Sequence, residues 1–229
     1  MSKLTIGIDM GHTLSGKGTG AIGCGYKEQD LTRELGKKVI ALLKQEGHSV
    51  IDCTCNSAIT SNAQLKARVD VANKHNLDLF VSIHFNSCVN DVNGDGKTTG
   101  TEVLIYSTSS KSKPYADRIV KNIASLGFKN RGVKTSSAYV LKHTKAPSLL
   151  IETCFIDDRD DMNIYLKSVD KVAKGIVEGI LNKVITTPSK TSDNGLYAVC
   201  VGAYNYDNAQ KIKDELIKKG YTSTYLIKR

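Results

Sequence analysis

Leu4-Thr5-Ile6-Gly7-Ile8-Asp9-Met10-Gly11-His12 opens the chain with a short apolar run that breaks at a glycine and ends on an imidazole. Residues 4–8 have the length of a strand and are too few for a helix. The next periodic stretch is of the other kind. Over residues 28–46, Leu31, Leu35, Val39, Leu42 and Leu43 recur on one helical face, and Gly47 stops the pattern. Residues 48–53 return to a strand pattern. Residues 65–76 read as a helix with Leu65, Val69 and Ala72 aligned, and residues 79–83 as a strand. Further strands are predicted at 102–106, 137–141 and 148–151, with helices at 114–126 and 169–184. Strands alternating with helices predict an α/β fold, a mostly parallel sheet with helices on both faces.

Residues 185–194 are polar, contain Pro188 and lack apolar periodicity, so they read as a linker. Beyond it, strand patterns at 196–204 and 221–227 flank a helical pattern at 207–219, a small C-terminal β-α-β unit over residues 195–229. That is below the size that usually folds alone. Residues 1–184 are expected to form the main domain.

In sheets of this kind, ligands gather at the carboxyl ends of the strands. His12 follows the first strand, His84 the run Leu79-Phe80-Val81-Ser82-Ile83, and Glu152 closes Ser148-Leu149-Leu150-Ile151. Glu28 falls in the first turn of the first helix. Two imidazoles, a carboxylate and a spare carboxylate are what a hydrolytic zinc site requires: three ligands leave a position for water, and the fourth group takes its proton. Structural readings compete at each position. A histidine at a strand end is commonly just hydrogen-bonded, and a helix's first turn favours acids, with Asp30 and Glu34 beside Glu28. An acid ending a buried apolar strand, however, is costly without a partner.

Composition narrows the partners. The chain of 229 residues carries a formal net charge of +9, which attracts polyanions such as nucleic acid or an anionic cell wall. Its lysines are spread rather than blocked together, which weighs against nucleic acid. No apolar run approaches the ~18–20 residues of a membrane span. The start lacks a signal-peptide pattern, so the chain is expected to be made in the cytoplasm and to need a separate release route. Six cysteines without framework spacing read as free thiols. Asp91, Asn93 and Asp95 with Glu102 match a calcium-loop spacing, yet the predicted flanking strands favour a Gly/Asp-rich connection. Gly16-Lys17-Gly18-Thr19-Gly20 does not have phosphate-loop spacing. His48 and His75 read as surface residues; Arg68 and Asn73 either stand behind the ligands or simply cap and decorate a helix, and the structural reading is preferred. Asn86, Lys142 and His143 are expected on a substrate rim near the strand ends.

Five ordered segments resemble the zinc-dependent N-acetylmuramoyl-L-alanine amidases of bacterial sporulation and phage lysis. They are Ile8-Asp9-Met10-Gly11-His12; Glu28-Gln29-Asp30-Leu31-Thr32; Ala67-Arg68-Val69-Asp70-Val71-Ala72-Asn73; Asp78-Leu79-Phe80-Val81-Ser82-Ile83-His84-Phe85-Asn86-Ser87; and Pro147-Ser148-Leu149-Leu150-Ile151-Glu152-Thr153-Cys154-Phe155-Ile156. The resemblance covers residues 1–184. It implies that His12, Glu28 and His84 bind zinc, that Glu152 is the catalytic carboxylate, and that the substrate is peptidoglycan, cut after lysis-linked release. A cell-wall binding protein without the chemistry and another zinc peptidase or deacetylase are the competing functions. The tail, with Tyr197-Ala198-Val199-Cys200-Val201-Gly202-Ala203-Tyr204, is similar to half of a SPOR-type peptidoglycan-binding unit. By that resemblance Tyr204 and Tyr206 would contact glycan, and two tails would pair to complete one unit in a homodimer.

Overall fold

The computed structural model describes residues 3–186 and 206–218. The chain divides into two compact units, Met1–Thr187 and Pro188–Arg229. In the first unit the order is β1 (Thr5–Met10), β2 (Ser15–Gly16), β3 (Ile22–Gly23), β4 (Tyr26–Lys27), α1 (Glu28–Gln45), β5 (Ser49–Asp52), β6 (Ser57–Ala58), α2 (Ser61–Asn73) and β7 (Leu79–Asn86). It continues with β8 (Thr101–Ile105), α3 (Lys113–Ala124), β9 (Asn130–Thr135), α4 (Tyr139–His143), β10 (Ser148–Phe155) and α5 (Arg159–Leu181). In the second unit the described element is α6 (Tyr206–Lys218); the strands expected on either side of it lie outside the described residues.

Six of these strands form one sheet in the order β5-β1-β7-β10-β8-β9. β5, β1, β7 and β10 run parallel, while β8 pairs antiparallel with β10 and parallel with β9. The sheet is therefore mostly parallel, with a reversed edge pair. Among the described residues no helix is long and apolar enough to cross a membrane.

The period-2 alternation of a strand divides the two faces of the sheet. Leu79, Val81, Ile83 and Phe85 of β7, with Ile6 and Ile8 of β1 and Leu149 and Ile151 of β10, join the core under α1, α3 and α5. Phe80 and Leu150 point the other way, into a smaller core with Val69 and Ala72 of α2 and Val140 and Leu141 of α4. Helices thus cover both faces. On the second face the sequence changes character along each strand. Phe80 gives way to Ser82 and His84, Leu150 to Glu152, and Gly7 to Asp9. The apolar part packs against Val69, Ala72, Val140 and Leu141, and the polar part begins beside Arg68 of α2, which pairs with Asp9.

Three elements differ from the sequence expectation. Residues 137–141, expected as a strand, contribute to the short helix α4, because a three-residue apolar run such as Tyr139-Val140-Leu141 carries no period that separates helix from strand. The edge strand β9 was not anticipated: Asn130-Arg131-Gly132-Val133-Lys134-Thr135 has one apolar residue, none of its positions is buried, and it carries an irregularity against β8 near Gly132. The closing helix begins at Arg159 rather than 169. Asp158 caps it, accepting from the backbone of Asp160 and Asp161, and it kinks at Ser168, whose hydroxyl donates to the Ile164 carbonyl at 2.6 Å.

Candidate metal centre

His12 lies just past β1 with a left-handed backbone, φ 65°. Two arginines fix this loop by gathering its carbonyl oxygens. Arg33 on α1 donates to Met10 O at 2.9 Å and to Gly11 O and His12 O at 2.7 Å. Arg68 on α2, almost fully buried, donates to the carbonyls of Met10, His12 and Cys55 and pairs with Asp9. Asp9 also accepts from Ser82 Oγ at 2.7 Å, which joins β1 to β7 beneath the site. Arg68 is thus a structural tie, as the sequence suggested, but of the site rather than of a helix surface.

Glu28 is the first residue of α1. Each of its carboxylate oxygens takes one backbone N–H, Oε1 from Phe85 and Oε2 from Ala21, both at 3.0 Å. Each also faces one imidazole: Oε2 lies 2.9 Å from His12 Nε2 and Oε1 lies 3.1 Å from His84 Nδ1. The two ring nitrogens are 3.1 Å apart. Burial alone would raise the Glu28 carboxyl, but hydrogen bonds and charge from His12 and His84 outweigh it and hold it well below the usual carboxylate range. His12 Nδ1 sits 3.1 Å from Gly18 O; a proton there leaves Nε2 as a lone pair aimed at the centre. Two imidazole nitrogens and a carboxylate converging within 4.8 Å can hold a divalent cation.

Glu152 stands beside His84 in register across β7 and β10. Its Oε2 is buried and has no hydrogen-bond partner among the described residues. Burial first, then the negative charges of Glu28 and Glu102, push its carboxyl well above the ordinary value. Such an orphaned acid is expensive in a fold that binds nothing there. The strand does not end at Glu152, as the sequence suggested, but runs on through an irregularity to Phe155.

The other expected site residues separate. Asn86 lies on the same face two residues past His84 and donates to Glu102 Oε1 at 3.3 Å. Lys142 and His143 end α4, ahead of the connection that enters β10 at Ser148, so the structure does not bring them to the centre. His143 stacks on Tyr139 with ring centroids 4.2 Å apart, and its carbonyl accepts from Asn73 Nδ2 at 2.9 Å. A loop that enters a strand lies at its amino end, whereas the site is near the carboxyl end. Tyr204 lies outside the described residues, and Tyr206 begins α6 with its side chain outside them. The calcium grouping does not form. Glu102 is held in β8 with its carboxylate on Arg131 and Lys134, while Asp91 and Asp95 lie with Asp160. A calcium loop needs its last acid to fold back, and the sheet prevents that. Cys24, Cys53, Cys55, Cys88 and Cys154 are free thiols; Cys200 lies outside the described residues.

Sequence reasoning missed Asp9, Arg33, Glu102 and Arg131 as neighbours of the site. Asp9 did carry a signal, being an acid at the end of an apolar strand as Glu152 is.

The family profile described as N-acetylmuramoyl-L-alanine amidase matches residues 6–182. The catalytic domain of the CD27L endolysin targeting Clostridia Difficile superposes with a TM-score of 0.70 at 33% identity, covering 80% of this chain and 99% of that one. The endolysin of Bacillus phage SPP1 is 35% identical over 79% of this chain and 65% of its own length. The sporulation-specific N-acetylmuramoyl-L-alanine amidase of Bacillus subtilis is 31% identical over 96% of this chain and 84% of its own. The chain spans about half the length of the first curated relatives it matches.

Proposed function

We propose, from the premise that the chain belongs to the N-acetylmuramoyl-L-alanine amidase family, that it hydrolyses the amide between N-acetylmuramic acid and L-alanine in peptidoglycan with zinc held by His12, Glu28 and His84. One observation carries this reading: three ligand atoms converge beside Glu152, whose buried Oε2 has no partner among the described residues. The fit to zinc is close. A tetrahedral ion with bonds of about 2.0–2.1 Å places its ligand atoms roughly 3.3 Å apart, and the three separations here are 2.9, 3.1 and 3.1 Å. When bound, zinc supplies a Lewis acid that polarises the carbonyl and makes water acidic.

The chain's own residues do the rest. Backbone N–H groups of Ala21 and Phe85 lock Glu28, and Gly18 O holds the His12 tautomer, so the ligands are oriented before anything binds. Glu152, whose surroundings make it a reluctant anion, takes the attacking water's proton and returns it to the departing amine nitrogen. An amide leaves poorly as an anion, so that second transfer matters as much as the first.

Digestion of purified cell wall tests the reading. The expected result is new L-alanine amino termini without new reducing ends, abolished by a chelator and restored by zinc. Shortened glycan strands, or hydrolysis indifferent to chelation, would overturn it. On this reading the chain acts on the wall after lysis-linked release. The tail from residue 188 adds wall affinity and pairs two chains.

A further inference from the structure

We propose that Arg131 and Lys134 form a carboxylate-binding subsite on the leaving-group side of the cleft, selecting peptide stems that carry a free carboxylate close to the amide that is cut. The inference rests on the amidase reading above and names the part of the substrate that this end of the site recognises.

The row of side chains across the sheet gives the direction. His84, Glu152 and Glu102 occupy paired positions on β7, β10 and β8, and paired positions on neighbouring strands face the same side. The metal ligands stand at one end of the row and Glu152 next to them. Glu152 returns the proton to the amine, so the amine half departs on its side, toward Glu102. Arg131 and Lys134 of the edge strand β9 reach in from beyond, both placing nitrogens 2.6 Å from Glu102 Oε2.

That arrangement exceeds what Glu102 needs. Burial alone would raise its carboxyl, yet hydrogen bonds from Lys134 and Arg131 hold it below the usual range. Two cations share the one carboxylate oxygen of Glu102, so that side chain alone does not neutralise both. Arg131 is also fixed in place: its guanidinium lies 4.9 Å from the centre of the Phe155 ring, and its Nη2 has no hydrogen-bond acceptor among the described residues. A guanidinium held by its Nε edge and its face, with Nη2 open, is prepared to bind a carboxylate. Lys134 beside it is 45% exposed. Neighbouring strands lie about 4.8 Å apart, and an extended peptide advances about 3.3 Å per residue. Cations resting on Glu102, one strand beyond Glu152, therefore meet a carboxylate borne one or two residues past the scissile amide. The plain alternative is an edge-strand salt bridge that only steadies β8 against β9, worth little in water.

Two soluble muropeptides separate these readings: one with a carboxylate on the second stem residue, one with a carboxamide there. The zinc-loaded full chain is expected to favour the carboxylate form by about tenfold in kcat/KM, mostly through KM, the scale of one charge-assisted contact. In R131Q/K134Q the ratio should fall to near one with zinc content retained, and K134Q alone should fall between. A wild-type ratio near one, or a ratio unchanged in the variants, overturns the subsite and leaves the amidase reading standing. Because the wild-type ratio needs no variant, a misfolded double variant does not shelter the proposal. Failure of the wild type to cut either substrate overturns both readings.

Discussion

Glu152 has a buried Oε2 without a partner among the described residues, and burial with the charges of Glu28 and Glu102 holds its carboxyl well above the ordinary value. Glu152→Gln keeps the shape and removes the base. Bound zinc should remain one per chain, while wall hydrolysis falls by about 10²–10⁴-fold, the usual worth of a general base. Metal analysis beside dye release checks this, and near-native turnover would assign the proton to another group. Asp161 gives a pH signature. Burial raises its carboxyl to about 6 against an ordinary 3.8, although backbone N–H groups of Phe155 and Gly100 donate to it. Between those values the unfolded chain has released a proton that the folded chain keeps, so raising the pH favours unfolding. The stability present below about pH 4 should decline by roughly 3 kcal/mol as the pH passes 6. In Asp161→Asn that component is absent, and urea melts of the two proteins from pH 4 to 7 should show their difference shrinking as the pH rises. Residue chemistry explains what could be read from sequence. His12, His84, Glu28 and Glu152 declare themselves by type, being ligands or acids where apolar strands and a helix begin or end. Arg33 did not, because its partners are chiefly backbone carbonyls that only the folded loop assembles.

The helices show where such reading stops. α3 and α5 approach closely because Gly175 and Gly179 face α3, where Asn122 Nδ2 donates to Gly175 O at 3.0 Å and Arg118 Nε to Gly179 O at 2.8 Å. A Cβ on Gly179 would stand 2.9 Å from the backbone N and Cα of Ile119. Gly179→Ala gains about 1 kcal/mol of helix propensity, yet overpacking against backbone costs about 1–3 kcal/mol. The variant should be less stable by up to about 2 kcal/mol, seen as a lower urea midpoint; a higher midpoint would mean that the helices part freely. Nothing in a single sequence separates a glycine that admits a neighbour from one that merely weakens a helix. The same limit hid β9. Its pairing comes from β8 rather than from any apolar alternation of its own, whereas β1, β7 and β10 were legible because burial on both faces demands apolar runs.

At the scale of the molecule, the four groups of the site come from segments spread between residues 12 and 152, and the parallel order β1-β7-β10 brings them together. The alternation of strands and helices was enough to foresee that convergence. It said less about residues 188–229, where α6 is the described element. In α6, Ile212 and Leu216 are half-buried and Ile217 is exposed, so the stripe expected from sequence is not fully covered. The segment from residue 188 also carries seven lysines and arginines against four acids, suited to an anionic wall. A chain ending at residue 186 keeps the whole sheet, both cores and all four site residues, so it should fold and bind zinc. Its activity should fall several-fold on intact walls, where a second attachment multiplies local concentration, and little on soluble muropeptides. Equal loss on both would make the tail a support of the catalytic fold. The proposed pairing of two tails makes a separate demand, since an exposed apolar side chain such as Ile217 gains from a twofold partner. Sedimentation should find the full chain dimeric and the shortened chain monomeric at tens of micromolar, and a full chain that stays monomeric there removes the dimer while leaving wall attachment by single tails intact.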